Sequence, residues 1–259
     1  MPSQNPMDMH VTLLGTGTSF PDPERVQSGV LLETEDFTFL LDNGSGTLHR
    51  LTQTGIELTD LSAVLFTHFH VDHCSDFLPL YQTLWLQEYD KTLEVYGSAD
   101  IHDWLKGINE VSFPYLLDRI STKVIELAEH DRLEFGGVTI EAYPTCHSDQ
   151  DSRAFKVEGD GASLVYTGDT SACEEVIKMA KDVNLLIHEC NWLDGDHREG
   201  VHTSPSDLNQ VVLEAQPEKV ILVHVSPPVV RERDSVIEIV GKSNNAEVIM
   251  GEDLLEIQL

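Results

Sequence analysis

Within Thr67-His68-Phe69-His70-Val71-Asp72-His73, three histidines and an aspartate fall inside six residues. Imidazole nitrogen and carboxylate oxygen are donors that zinc and similar first-row ions accept. One tight loop cannot easily wrap all four side chains around one ion, so the set points to two ions sharing it. The competing reading is a solvated, His-rich turn. Against it stands the apolar run Ala63-Val64-Leu65-Phe66 directly before the cluster, which suits a strand covered on both faces. The cluster then leaves that strand at its C-terminal end, where α/β proteins build their sites.

The same arrangement recurs along the chain. Apolar runs also end at His147, Asp169, His188 and His224, and polar residues at equivalent strand ends favour one shared site. His188 reads as support for the sheet edge rather than as a ligand. Asp42 closes another buried strand and suits two roles, anchoring a metal-bound histidine or N-capping the next helix. Gly15-Thr16-Gly17-Thr18-Ser19 follows a strand signal, but the glycine-rich dinucleotide pattern is incomplete and no helix follows. As a phosphate loop it is weak.

The elements that must position these residues alternate. Strands are expected at 10–14, 29–34, 37–41, 63–66 and 93–97, and helices at 47–54, 77–88 and 101–108. An irregular segment, 111–117, is placed to cover a pocket. Alternation with turns at Glu129-His130-Asp131 and Gly136-Gly137 suggests a β-meander over 121–143. Further strands follow at 138–143, 154–158, 163–166, 185–187 and 220–223, with a hairpin across Gly159-Asp160-Gly161. Helices are expected at 172–181, 205–215 and 231–241 before short terminal strands. No low-complexity segment or long linker divides the chain. It reads as one domain, 1–259, with pseudo-halves of roughly 9–137 and 138–259.

Sixteen Lys plus Arg oppose 45 Asp plus Glu, a formal net charge of −29. Non-specific nucleic-acid binding rests on Lys and Arg, so this balance argues against nucleic acid and anionic membrane surfaces as partners. Solubility is the plainer account of the carboxylates. No apolar run approaches the roughly 20 residues needed to cross a bilayer. Met1 to Met9 lacks the basic flank and apolar stretch of a signal peptide and reads as a short leader. Cys74, Cys146, Cys173 and Cys190 show no Cys-x-x-Cys spacing and read as reduced thiols of a cytoplasmic protein. Cys74 and Cys146 each adjoin a candidate ligand and are expected to be buried and inert.

Taken together, Leu14-Gly15-Thr16-Gly17, Asp42, His-x-His-x-Asp-His, His147-Ser148, Gly168-Asp169-Thr170, His188-Glu189 and His224-Val225-Ser226-Pro227 resemble the metallo-β-lactamase fold superfamily, specifically its ribonuclease Z-like branch. The resemblance spans nearly the whole chain. It implies an α/β (α+β) fold, a four-layer αββα sandwich of two mixed sheets, with a dinuclear site along one edge. By that resemblance His68, His70 and His147 hold one divalent ion, and Asp72, His73 and His224 hold the other, with Asp169 bridging. Zinc is the expected metal, with manganese or iron as alternatives. A water or hydroxide shared by two ions about 3.5–4 Å apart is the implied nucleophile. Glu189 and His202 match positions that move protons and contact the reacting phosphate, and Asp72, Glu189 and His202 are the catalytic candidates.

The departures are informative. No glycine- and proline-rich arm for gripping tRNA is visible, which with the charge argues against tRNA as substrate. Asp76 fits the branch without choosing a substrate. Tyr166 stands near the place lactonases use, but within a strand. The expected activity is therefore hydrolysis of a small anionic phosphodiester, or a related phosphate or sulfate ester. A lactonase or carboxyl-ester hydrolase is the alternative, ahead of a tRNA 3′-processing endoribonuclease or a non-catalytic ligand carrier. Residues 77–120 offer an interface for a possible homodimer.

Overall fold

Successive residues in the buried strands point to opposite sides, and both sides are apolar. In Phe39-Leu40-Leu41, Phe39 and Leu41 join the central core while Leu40 packs outward. Leu185-Leu186-Ile187 divides in the same way. Strands apolar on both faces require cover on both, and four layers satisfy this: helices, sheet, sheet, helices. The expected αββα sandwich is what forms.

A computed structural model describes residues 9–159 and 161–259. Residues 1–8, part of the expected leader, and Asp160, part of the expected hairpin, lie outside the described residues. One sheet draws on β1 (His10–Gly15), β2 (Gly29–Glu33), β3 (Thr38–Leu41), β4 (Ala63–Leu65), β5 (Thr92–Gly97), β6 (Ser121–Glu126) and the last strand, β14 (Glu256–Gln258). Its order is β14-β1-β2-β3-β4-β5-β6. The other holds β7 (Arg132–Phe135), β8 (Val138–Pro144), β9 (Arg153–Gly159), β10 (Ala162–Tyr166), β11 (Leu185–Glu189), β12 (Lys219–Val223) and β13 (Glu247–Met250), paired in sequence order. From β3 to β6 and from β10 to β13 the pairings are parallel. Their C-terminal ends therefore gather along one edge of each sheet.

Helices α1 (Thr47–Thr54), α2 (Val71–Cys74), α3 (Phe77–Leu86) and α4 (Ile101–Lys106) accompany the first sheet in sequence. Leu51, Leu80, Leu84 and Ile101 pack there against Leu31, Leu40 and Val64. On the second sheet lie α5 (Glu174–Met179), α6 (Pro205–Ala215), α7 (Pro227–Arg231) and α8 (Arg233–Val240). Two helices have the predicted limits because their ends carry clear local signals. Glycines at positive φ, Gly46 and Gly55, bracket α1, while Ser204 caps α6 ahead of Pro205.

The β-meander expected over 121–143 does not form. β6 pairs in parallel with β5, whereas β7 and β8 make a hairpin in the opposite sheet. The alternation and turns are present; long-range pairing decides which sheet each strand joins. The helix expected at 231–241 forms as α8, with the short α7 immediately before it. Residues Gly107–Ser112 continue α4 as a short π-helical segment. The 111–117 stretch is mostly exposed, and Tyr115 Oη donates to Gln82 on α3.

Candidate active site

The site is built from turns that leave the strand ends. After β4, Phe66 N still donates to Tyr96 O, and the chain then turns at Thr67 into α2. Asp72 and His73 ride on that short helix, while His68 and His70 precede it. Backbone at φ 59° for Asp42, 56° for Ser148 and 48° for His224 marks sharp exits from the strands, a conformation that costs most residues energy and recurs at functional sites.

Asp169 is the centre. Oδ2 lies 4.0 Å from His68 Nε2 and 3.8 Å from His147 Nε2. Oδ1 lies 3.2 Å from His73 Nε2 and 3.3 Å from His224 Nδ1. One carboxylate thus faces two separate sets of donors. His70 Nδ1 is 3.3 Å from His147 Nε2, and His224 Nε2 is 3.3 Å from Asp72 Oδ2. Donor atoms of His68, His70, His147 and Asp169 all lie within 4.8 Å of one another, as do those of Asp72, His73 and His224. A third grouping within that limit, Asp169, Glu189, His202 and His224, overlaps both. The structure thus gathers the seven sequence-derived ligand candidates in one place.

The orphaned atoms fit metal. Among the described residues, His68 Nε2, His73 Nε2 and Asp169 Oδ1 are buried without a hydrogen-bond partner. Buried polar atoms normally find one, and three converging orphans of donor type suit a cation. The outer ring nitrogens are spoken for. His68 Nδ1 donates to Thr67 Oγ1 at 3.0 Å, His73 Nδ1 to Asp42 Oδ2 at 2.8 Å, and His147 Nδ1 to Val201 O at 2.7 Å. Each such bond fixes the tautomer that presents Nε2 inward.

Electrostatics divides the histidines. Burial pushes His68 well below the usual imidazole pKa, and neighbouring histidines add to this. Burial also lowers His70 and His147, so these three present neutral nitrogen at neutral pH. For His73, burial opposes the charge, but Asp169 and Asp42 outweigh it and hold the pKa well above the ordinary value. Burial disfavours the Asp169 carboxylate, yet His224, His73 and His68 keep it well below the usual range. Asp72 stays low by the same contest, with the His224 hydrogen bond prevailing over burial.

Glu189 and His202 stand beside Asp169 and His224. The buried Glu189 carboxylate accepts from His202 Nδ1 at 2.7 Å, Thr170 N at 2.9 Å, Asn191 N at 3.2 Å and Thr203 N at 3.3 Å. Burial lowers the His202 pKa, but the bond to Glu189 reverses the sign and raises it. His188 points the other way, among the outer helices, donating Nδ1 to Glu189 O.

Thr67 acts here without having been legible as a site residue. Thr67 supplies both N and Oγ1 to Asp42 at 2.8 Å, locking the first motif beneath β3. Tyr166 donates to Asp42 Oδ2 at 2.8 Å and sits buried under the site. Asp42 therefore anchors His73 and does not cap α1. Asp76 does that instead, accepting from Gly46 N and Leu48 N. The Thr16 loop is a latch, not a phosphate cradle: Asp253 takes Thr16 N and Oγ1, and Thr16 O accepts from Val225 N. Cys74 is buried, with its thiol pushed up to about 12 by burial. Cys146, expected to be buried, is exposed, because β8 ends two residues earlier and the chain turns outward.

An αββα sandwich with this donor set along its edge defines a metallo-hydrolase of the metallo-β-lactamase fold, in the ribonuclease Z-like branch. The family profile described as Anti-Pycsar protein Apyc1 matches residues 9–243, and the chain belongs to that family. The probable metallo-hydrolase YhfI of Bacillus subtilis is 30% identical over 223 residues, covering 84% of this chain and 87% of the relative. Its crystal structure superposes with a TM-score of 0.84 at 27% identity, covering 97% of this chain and all of that one. Ribonuclease Z of Pyrococcus abyssi is 26% identical over 268 residues, 85% of this chain and 87% of that protein. The short form of human tRNase Z shares the fold, with a TM-score of 0.77 at 24% identity over 96% of this chain and 98% of that one. Among the described residues, no helix is long and apolar enough to cross a membrane.

Proposed function

We propose that this chain is a dinuclear metal-dependent phosphodiesterase acting on a small anionic ester. The observation that carries the reading is the split carboxylate of Asp169, with one oxygen toward His68 and His147 and the other toward His73 and His224. His68, His70 and His147 would hold one divalent ion, and Asp72, His73 and His224 the second, with Asp169 shared. Zinc suits these nitrogen and oxygen donors, with manganese or iron as alternatives. When bound, such ions make water more acidic and offset charge developing on phosphoryl oxygens.

The remaining chemistry falls to the protein. His202, its Nδ1 held by Glu189, carries a proton on Nε2 that passes to the leaving oxygen as a water oxygen bonds to phosphorus and the P–O bond to the leaving group breaks. Its raised pKa keeps that proton available near neutrality. Asp42 and the Val201 carbonyl hold His73 and His147 in register. The −29 charge favours a small substrate over a nucleic acid. The carboxyl-ester alternative is weaker, because Tyr166 is buried and tied to Asp42.

Metal analysis joined to a panel of phosphodiesters, phosphotriesters, sulfate esters and lactones tests this. Two ions per chain and turnover of bis(p-nitrophenyl) phosphate are expected. Preferential turnover of lactones at equal metal loading would refute the phosphodiesterase assignment.

A further inference from the structure

The chain has three tryptophans. Trp85 and Trp104 pack against the outer core of the first sheet. Trp192 joins none of the three apolar clusters. Its aromatic neighbours are two histidines: His197 stacks on its face at 4.5 Å and 22°, and His202 meets it edge-on at 5.3 Å and 87°. His202 in turn lies 5.2 Å from the ring of His147 and 5.4 Å from that of His224. The half-buried indole is thus one ring removed from residues on both sides of Asp169. A large flat side chain withheld from the core and set beside the reacting centre is suited to stacking, and here a surface imidazole occupies its face.

The covering imidazole is easily displaced. His197 is exposed, lies in the polar connection between β11 and α6, and among the described residues its ring makes one hydrogen bond, to Leu193 O. That connection also contributes Val201 O to His147 and His202 to Glu189 near its end, and Asn191 N donates to Glu189 at its start, so its two ends are fixed while residues 194–200 between them are exposed.

We infer that Trp192 is a specificity-determining residue: its indole face accepts a planar aromatic substituent of the phosphodiester, which takes the place of the His197 ring. This deepens the phosphodiesterase reading and rests on it. Stacking supplies selectivity for flat groups without reading their edges, since every aromatic ring has a π-face. Aliphatic esters of the same charge gain nothing from it.

The test is calorimetric binding of 2-naphthyl phosphate and methyl phosphate to the metal-loaded protein. Wild type should bind the naphthyl ester about tenfold more tightly, the scale of one base–aromatic stack. Trp192→Ala should lose that preference while leaving methyl phosphate within about twofold, and Trp192→Phe should keep most of it. His197→Ala, a change on the surface, should tighten only the naphthyl ester. Equal weakening of both ligands by Trp192→Ala would overturn the inference in favour of a role confined to holding His202. An unchanged preference, or a loss of naphthyl binding in His197→Ala, would overturn it too. If wild type turns over phosphodiesters yet shows no aromatic preference, this inference alone fails; if it neither binds these phosphates nor turns over phosphodiesters, the functional reading fails with it.

Discussion

His73 Nδ1 lies 2.8 Å from Asp42 Oδ2, and its opposite nitrogen lies 3.2 Å from Asp169 Oδ1. One imidazole therefore links a carboxylate beneath β3 to the carboxylate at the centre of the site. Its ring is fully buried, so its orientation depends on that first bond. Asp42→Asn should weaken metal affinity by roughly 10–100-fold, the usual cost of losing such an anchor. Competition with a chromophoric chelator measures it. Tyr166→Phe, which deletes only one donor to Asp42, should have a much smaller effect. Equal losses in the two variants would mean that general loosening, not the aim of His73, sets affinity.

Metal binding should release a proton from His73. Asp169 and Asp42 raise its folded pKa well above 6.5 despite burial, so the ring is protonated at neutral pH and must give up the proton on Nε2 to become a ligand. Apparent affinity should consequently rise with pH until the folded pKa is passed. Calorimetry at pH 7 in buffers of different ionisation enthalpy should show net proton release, reduced in Asp42→Asn. For the metal-free protein the sign is opposite. A raised folded pKa contributes stability that is full below the unfolded value, near 6.5, and is lost as pH rises through the folded pKa. Its melting temperature should therefore fall on the alkaline side, with added metal reversing the loss.

His202→Gln should cut kcat by roughly 10²–10⁴-fold, the range for a positioned general acid, while metal content stays unchanged. Glu189 raises the His202 pKa, so in Glu189→Gln the alkaline limb of the rate profile should move to lower pH. Glu189→Gln should also lower the melting temperature, because a buried carboxylate that accepts four donors cannot be matched by an amide. A rate profile unmoved in Glu189→Gln would remove His202 from proton transfer.

What could be read beforehand follows from the range of each signal. The donors at strand ends were legible because buried strands announce themselves as apolar runs, so a polar residue directly after one stands out. Helices α1 and α6 were legible to the residue because glycine, serine and proline mark their ends. Asp42 left two readings open until Thr67, Tyr166 and His73 were seen to converge on it, a convergence that spans 124 residues in the Tyr166 contact. The fate of 121–143 was hidden for the same reason: pairing with β5 or with β8 is a tertiary choice. Trp192 gave only one local hint, a tryptophan in a polar stretch two residues beyond His-x-Cys, and its neighbours His197 and His202 become meaningful only once the ring positions are known.

Gly168 couples the two halves of the site sterically. Its φ is +58°, and a Cβ there would stand 2.7 Å from three side-chain atoms of Thr67. Thr67 in turn carries Asp42 and His68, while the next residue after Gly168 is Asp169. Gly168→Ala must therefore push the first motif away from the central carboxylate or twist the turn that bears it. Gly55→Ala is the control: it has a similar φ of +85°, with nothing within 4 Å of the added carbon. That change should cost about 1 kcal/mol from backbone strain alone. Gly168→Ala should cost more, about 2–3 kcal/mol in denaturant unfolding, and should also reduce bound metal. If both substitutions cost the same and metal content is unaffected, the close approach of Gly168 to Thr67 is not what keeps Asp169 in place.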